Sequence, residues 1–373
     1  MTEQIKINLS PFNNSPAANE FRSDTFTTPT ASMVAAIANT SLGDAVYNED
    51  ETTTKLEQKV ASLAGKERGL FCVSGTLSNQ IAIRTNLVQP PYAVLCDYRS
   101  HIFVHEAGGI PTLSQAMIHP IHPKNNVYLT LEEDILPNFV PDDGEIHSAP
   151  TKVISLENTL HGMIFPVEEI EKISKFCKKN GVRLHLDGAR LWNASAATGI
   201  SIAKYCSYFD SVSLCLSKTL GAPVGSVLVS DKKFIQKANH FRKQNGGGIR
   251  QSGLLASMAL VAIEENFPKL PDTHRIAKDI GQFCEQQGIV LEHPVHTNFV
   301  FIDLAANKIN DEYFTKACER HGVKAYGSRI AIHYQITEDA VSKLKLALQE
   351  TFDEAKRNPY NQTESLKFYA ATE

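Results

Sequence analysis

A surplus of charge is what this sequence most obviously lacks. Among 373 residues, 37 Lys and Arg stand against 41 Asp and Glu, a formal charge of -4. No basic block interrupts that balance, which argues against nucleic acid or an anionic membrane as a partner. Long hydrophobic runs are missing too, since nothing approaches the ~18 apolar residues of a membrane span. The opening stretch 1–20 is polar and lacks the apolar core of a secretory signal, so a cytoplasmic location is expected. Seven cysteines, odd in number and scattered, suit reduced thiols rather than a disulfide framework. No internal repeat is present. What remains is ordinary for a folded chain: 42% hydrophobic and 21% charged residues exclude wholesale disorder.

Apolar residues at helical spacing, Leu56, Val60, Leu63 and Ala64, predict a helix over 53–64. Short apolar runs at 69–73, 93–96, 152–156, 183–186, 211–216 and 226–229 read as strands. Helical patterns at 167–178 and 232–243 lie among them. Such alternation predicts a largely parallel sheet covered on both faces. A long helix over 253–266 is closed by Pro268 and Pro271, where the domain boundary is expected. Beyond it, helices at 273–287 and 311–321, strands at 298–303 and 329–334 and a final helix suit a small α/β domain. The division expected is a polar arm 1–20, a large domain 21–270, a small domain 271–358 and a polar tail 359–373.

Several motifs begin and fail. His105-Glu106 opens a zinc-protease pattern, but Gly109 stands where the second histidine belongs. The pairs His101/His105 and His119/His122 have no Cys or carboxylate partner at ligand spacing, so no metal site is read. Lys218-Thr219 mimics the end of a P-loop whose glycines are replaced by Val212 and Ser217. Gly246-Gly247-Gly248 lacks the spaced third glycine of a dinucleotide turn.

One constellation survives. In Leu184-His185-Leu186-Asp187-Gly188-Ala189-Arg190 a carboxylate closes an apolar strand, where open α/β sheets bind ligands. By itself that Asp could simply cap the following helix. A second apolar strand ends in Ser217-Lys218-Thr219, and a lysine there is poorly explained as surface charge. It is a candidate for covalent attachment to a carbonyl group. Ser74-Gly75-Thr76 opens a helix whose N–H groups, with the Thr76 hydroxyl, could cradle a phosphate. Together the three pieces describe a pyridoxal 5'-phosphate site, with Asp187 on the pyridine nitrogen and Lys218 on the carbonyl carbon.

With these residues in view, the sequence resembles the low-specificity L-threonine aldolases of the fungal type, within the aspartate-aminotransferase-like pyridoxal-phosphate enzymes. Matching segments run from Phe21 to about Arg357. They include Phe21-Arg22-Ser23-Asp24-Thr25, Gly43-Asp44-Ala45-Val46-Tyr47 and Ser155-Leu156-Glu157-Asn158-Thr159. The others are Ser74-Gly75-Thr76, Asp187-Gly188-Ala189-Arg190, Leu216-Ser217-Lys218 and the stretch from Gly246-Gly247-Gly248 to Gln251-Ser252-Gly253. The resemblance implies a seven-stranded sheet between helices, fold type I, with a small C-terminal α/β domain. It implies cleavage of L-threonine or L-allo-threonine to glycine and acetaldehyde.

Residue by residue, the resemblance assigns the substrate carboxylate to Arg329 and Arg190, assisted by Ser23. His101 matches a histidine that lies against the cofactor ring, where it stacks or, more boldly, moves the hydroxyl proton. A neighbouring subunit is expected to complete the phosphate site through Arg250 and Lys243, which implies a homo-oligomer, by resemblance a tetramer. Leu160 departs from the pattern, because many relatives carry a histidine there; here His161 follows it instead. The alternatives are another reaction on the same fold, transamination or β-elimination, and a scaffold protein without activity.

Overall fold

Five-residue runs buried at every position, such as Ala93–Asp97 and Ser211–Cys215, can sit only inside a sheet covered on both faces. A computed structural model, describing residues 9–12 and 14–361, places them there. Seven strands form the main sheet: β1 (Arg68–Cys72), β2 (Ala93–Asp97), β3 (Met117–Ile121), β4 (Thr151–Glu157), β5 (Arg183–Asp187), β6 (Ser211–Cys215) and β7 (Ser226–Ser230). Their spatial order is β1-β7-β6-β5-β4-β2-β3. The five strands from β6 to β3 are parallel, and β7 runs antiparallel to both of its neighbours. The mostly parallel sheet expected from the sequence is therefore present, with β7 as its exception.

Strand β3 was not anticipated, and its composition explains why. Pro120 and His119 interrupt the apolar run, and a proline fits a sheet only where its missing N–H faces no neighbour. β3 meets that condition because it pairs with β2 alone, at the sheet edge.

The main core gathers the apolar faces of the central strands with helices Glu51–Leu63, Val167–Asn180, Leu191–Thr198 and Gly253–Asn266. Asp50 caps the first of these by accepting from Thr53 N at 3.0 Å, and its other oxygen accepts from Gly253 N at 2.7 Å. One carboxylate thus ties the starts of two helices together. All seven cysteines are buried thiols. Among the described residues no helix is long and apolar enough to cross a membrane.

A second core is built from helices Leu270–Gln287, Asp311–Arg320 and Glu338–Arg357 against a two-stranded antiparallel ribbon, β8 (Phe299–Phe301) with β9 (Arg329–Ala331). Both strands are half the expected length. The chain before the main sheet also joins this core: Phe21 is fully buried in it. Its N–H donates to Lys324 O at 2.8 Å, and its carbonyl accepts from Ala331 N at 2.8 Å. That docking brings Arg22, Ser23 and Asp24 up to β9. Of the expected arm and tail, residues 1–8, 13 and 362–373 lie outside the described residues.

Candidate active site

Parallel strands leave their last residues at one edge of the sheet, and here those residues are charged. β4 ends in Glu157 and β5 in Asp187, which face each other across the strand pair. The chain leaving β6 carries Lys218 three residues on. Gly188 permits the turn after Asp187, since a Cβ there would meet Ser213 O at 2.9 Å. Asp187 is buried, and its Oδ1 accepts from Ala189 N at 3.0 Å while Oδ2 accepts from Asn79 Nδ2 at 2.7 Å. The capping position of the next helix belongs to Arg190, so Asp187 is not its cap.

Arg190 is buried and forms a two-pronged pair with Asp24: Nε to Oδ2 at 2.8 Å and Nη2 to Oδ1 at 2.6 Å. Asn298 Nδ2 donates to the same carboxylate at 3.3 Å. Burial by itself pushes the Asp24 carboxyl up, but Arg190, then Lys218 and Arg329, outweigh it and hold it at about 2. Arg329, at the start of β9, donates through Nη2 to Arg22 O at 2.9 Å. Both guanidiniums lie over one ring, with Cζ 4.6 Å (Arg190) and 5.3 Å (Arg329) from the centroid of Phe299. Ser23 is buried next to Asp24 and accepts from Thr25 Oγ1 at 2.9 Å.

On the other side, His101 opens a single helical turn, His101–Val104, with its N–H donating to Glu157 Oε2 at 2.9 Å. Its Nδ1 lies 2.8 Å from Glu106 Oε1. Burial disfavours the imidazolium, yet Glu106, with Asp187 and Glu157, prevails and raises the His101 pKa. Burial, then the charge of Asp187, pushes the Glu157 carboxyl up to about 7. Ser74 caps the helix Gly75–Asn86 by accepting from Leu77 N at 3.1 Å. The N–H groups of Gly75 and Thr76 stand ahead of that cap and have no intrahelical acceptor. A Cβ on Gly75 would meet only Cys215 Sγ, at 4.0 Å, so this helix end faces open space.

Six of the residues singled out from the sequence therefore meet: Ser23, His101, Asp187, Arg190, Lys218 and Arg329. Electrostatics links them, because Lys218 acts on Asp24, His101 and Glu157 alike. Lys243 and Arg250 are exposed, and among the described residues no recorded bond carries either to this group. The backbone between them comes nearer: a Cβ on Gly247 would strike Leu77, in the first turn of the capped helix. His161 stacks on Phe301 with ring centroids 5.2 Å apart, on the face of the ribbon that also carries Phe299, and burial, helped by nearby charges that include Arg329 and Arg190, pushes its imidazole down. Leu160 is buried.

Sequence reasoning missed Asp24, Asn79, Glu106, Glu157 and Phe299 as parts of the site. Asp24 and Glu157 stood in segments already noted, and Glu157 ends a strand as Asp187 does. Asn79 carries no motif, and Glu106 only the broken zinc-protease pattern.

The donor set fits pyridoxal phosphate. A buried carboxylate suits a protonated ring nitrogen, an amine suits the carbonyl carbon, and a capped helix with free N–H groups suits the phosphate. Beside Asp187 in the register, the Ser213 hydroxyl is buried without a partner among the described residues.

Comparisons with known proteins agree. The family model for beta-eliminating lyases matches residues 20–307. A low-specificity L-threonine aldolase of Candida albicans is 60% identical over 345 residues, 92% of this chain and 92% of its own. One from Saccharomyces cerevisiae is 56% identical over 346 residues, 92% of this chain and 89% of its own. A solved threonine aldolase of Leishmania major shares the fold, with a TM-score of 0.74 at 20% identity over 89% of this chain and 99% of its own. The chain belongs to the beta-eliminating lyase family, pyridoxal-phosphate-dependent enzymes of fold type I, alongside the low-specificity L-threonine aldolases.

Proposed function

We propose that the protein cleaves L-threonine and L-allo-threonine to glycine and acetaldehyde. The observation that carries the reading is the meeting of two arginines over Phe299, with Lys218 acting alongside them on Asp24 and, with the buried carboxylate of Asp187, on His101. When bound, pyridoxal phosphate supplies the sink for the electron pair released as the Cα–Cβ bond breaks. Asp187, held by Asn79 and by Ala189 N–H, presents its charge to the ring nitrogen. Lys218 offers the amine that holds the cofactor, and Gly75 and Thr76 offer their N–H groups to its phosphate. Arg190 and Arg329, with the Ser23 hydroxyl, grip the substrate carboxylate. That grip would fix the rotation about Cα and so select which of its bonds is broken.

His101 takes the β-hydroxyl proton at Nε2, since Nδ1 is engaged by Glu106. The O–H pair becomes the second carbon–oxygen bond of acetaldehyde, and a proton returned to Cα completes glycine. Lys243 and Arg250 are assigned to the phosphate of a neighbouring subunit's site in a homotetramer. Their exposure supports that assignment.

Incubation of the purified protein with threonine tests the reading. Acetaldehyde and glycine in equal amounts are expected. Ammonia with 2-oxobutanoate would mean β-elimination instead, and no product at all would favour a scaffold.

A further inference from the structure

We propose that Glu106 and Asn79 are positioning residues, Glu106 setting the proton on His101 and Asn79 aligning Glu106 with Asp187. This rests on the reading of His101 as the base. Glu106 has no exposed side-chain area, and three donors converge on it. Oε1 accepts from His101 Nδ1 at 2.8 Å and from Asn79 Nδ2 at 2.9 Å; Oε2 accepts from Gln80 Nε2 at 2.6 Å. With its proton on Nδ1, His101 is left with Nε2 as the basic nitrogen.

The Asn79 amide is shared. Its second N–H reaches Asp187 Oδ2 at 2.7 Å, while its Oδ1 lies 3.2 Å from His185 Nε2. His185 is fully buried, and burial pushes its imidazole down to about 4, so it is neutral. The Asn79 oxygen can only accept, so the neutral His185 carries its proton on Nε2, aimed at that oxygen, and its Nδ1 is left as acceptor for the Ser211 hydroxyl 2.9 Å away, which itself accepts from Asn86 Nδ2 at 3.0 Å. Flipping the amide would set donor against donor at His185 and oxygen against two carboxylates. One chain of hydrogen bonds, from Ser211 to His101, therefore aligns both the carboxylate that meets the ring and the carboxylate that meets the base.

The groups facing His101 come from every neighbouring element. Glu106, Asp187 and Glu157 favour its charged form, and Lys218 and His105, whose ring centroid is 5.6 Å away, oppose it. Glu106 makes the only direct bond to the ring among these.

Glu106→Gln keeps the shape and an acceptor but removes the charge. Histidine-selective NMR of the full chain without cofactor should show His101 titrating roughly one to two pH units lower than in the parent. With cofactor and threonine, the acid limb of kcat should move down by the same amount, with the visible band unchanged. Glu106→Asp, which keeps the charge, should recover part of the difference. An unmoved His101 titration in the folded Gln variant overturns the proposal, whatever the activity does. A moved titration with an unmoved acid limb supports the positioning role but removes His101 as the base. In Asn79→Ala, both the His101 titration and the pH dependence of the cofactor's absorbance should change; movement of only one, or neither, overturns the shared-amide arrangement.

Discussion

Replacing Asp24 by Asn keeps the shape of the side chain but leaves Arg190 without its counter-charge. The guanidinium cannot shed its proton, and its side chain is only 10% exposed. Breaking a buried pair from one side costs about 3–5 kcal/mol, so the urea-unfolding midpoint should fall clearly. Catalysis should suffer separately. Arg190 is held in the plane of Asp24 by bonds of 2.6 and 2.8 Å, and without them its grip on the substrate carboxylate loosens. A charge-assisted contact is worth about 1.5–3 kcal/mol, so KM for threonine should rise roughly ten- to a hundredfold. Cofactor absorbance should persist.

The same pair gives a pH signature. The folded chain holds Asp24 at about 2, below its ordinary 3.8, so ionisation favours folding. That stabilisation, about 2 kcal/mol, is fully present above pH ~4 and lost as pH falls through about 2. The stability difference between parent and variant should therefore shrink over that acid window. Equal midpoints and equal KM at neutral pH would refute the reasoning.

Arg329→Ala should raise KM for threonine by roughly ten- to a hundredfold with the cofactor band intact; loss of cofactor at unchanged KM would show that Arg329 serves the phosphate instead. Leu160 offers no hydrogen bond to the β-hydroxyl, and one such bond is worth ~0.5–1.5 kcal/mol. L-Threonine and L-allo-threonine should thus be cleaved with kcat/KM within roughly tenfold of each other. The ratio should hold in His161→Ala, because that ring is stacked on Phe301. Strong discrimination in both proteins would mean that another group reads the hydroxyl.

Strand ends were the legible part of this site. Asp187 and Lys218 each follow a short apolar run, and a charge in that position stands out against a buried strand. Arg190 was legible through the segment around it, but its partner was not. Asp24 lies 166 residues away and reaches Arg190 only because Phe21 docks into the second core. Glu106 matches only a broken zinc pattern, and two of its three partners, Asn79 and Gln80, come from a helix in another part of the chain. Asn79 looks like any polar residue in a helix, although it is buried. Edge strand β3 hid behind Pro120 for a local reason, whereas the antiparallel course of β7 depends on pairing that no local pattern records.

The most direct test of the central claim is to reduce the holoenzyme with borohydride and map the modified peptide by mass spectrometry. The pyridoxyl mass should appear on the peptide containing Lys218, and Lys218→Ala should carry no such mass and lose nearly all acetaldehyde formation. A pyridoxyl group on a different lysine, or threonine cleavage surviving in the variant, would contradict the account.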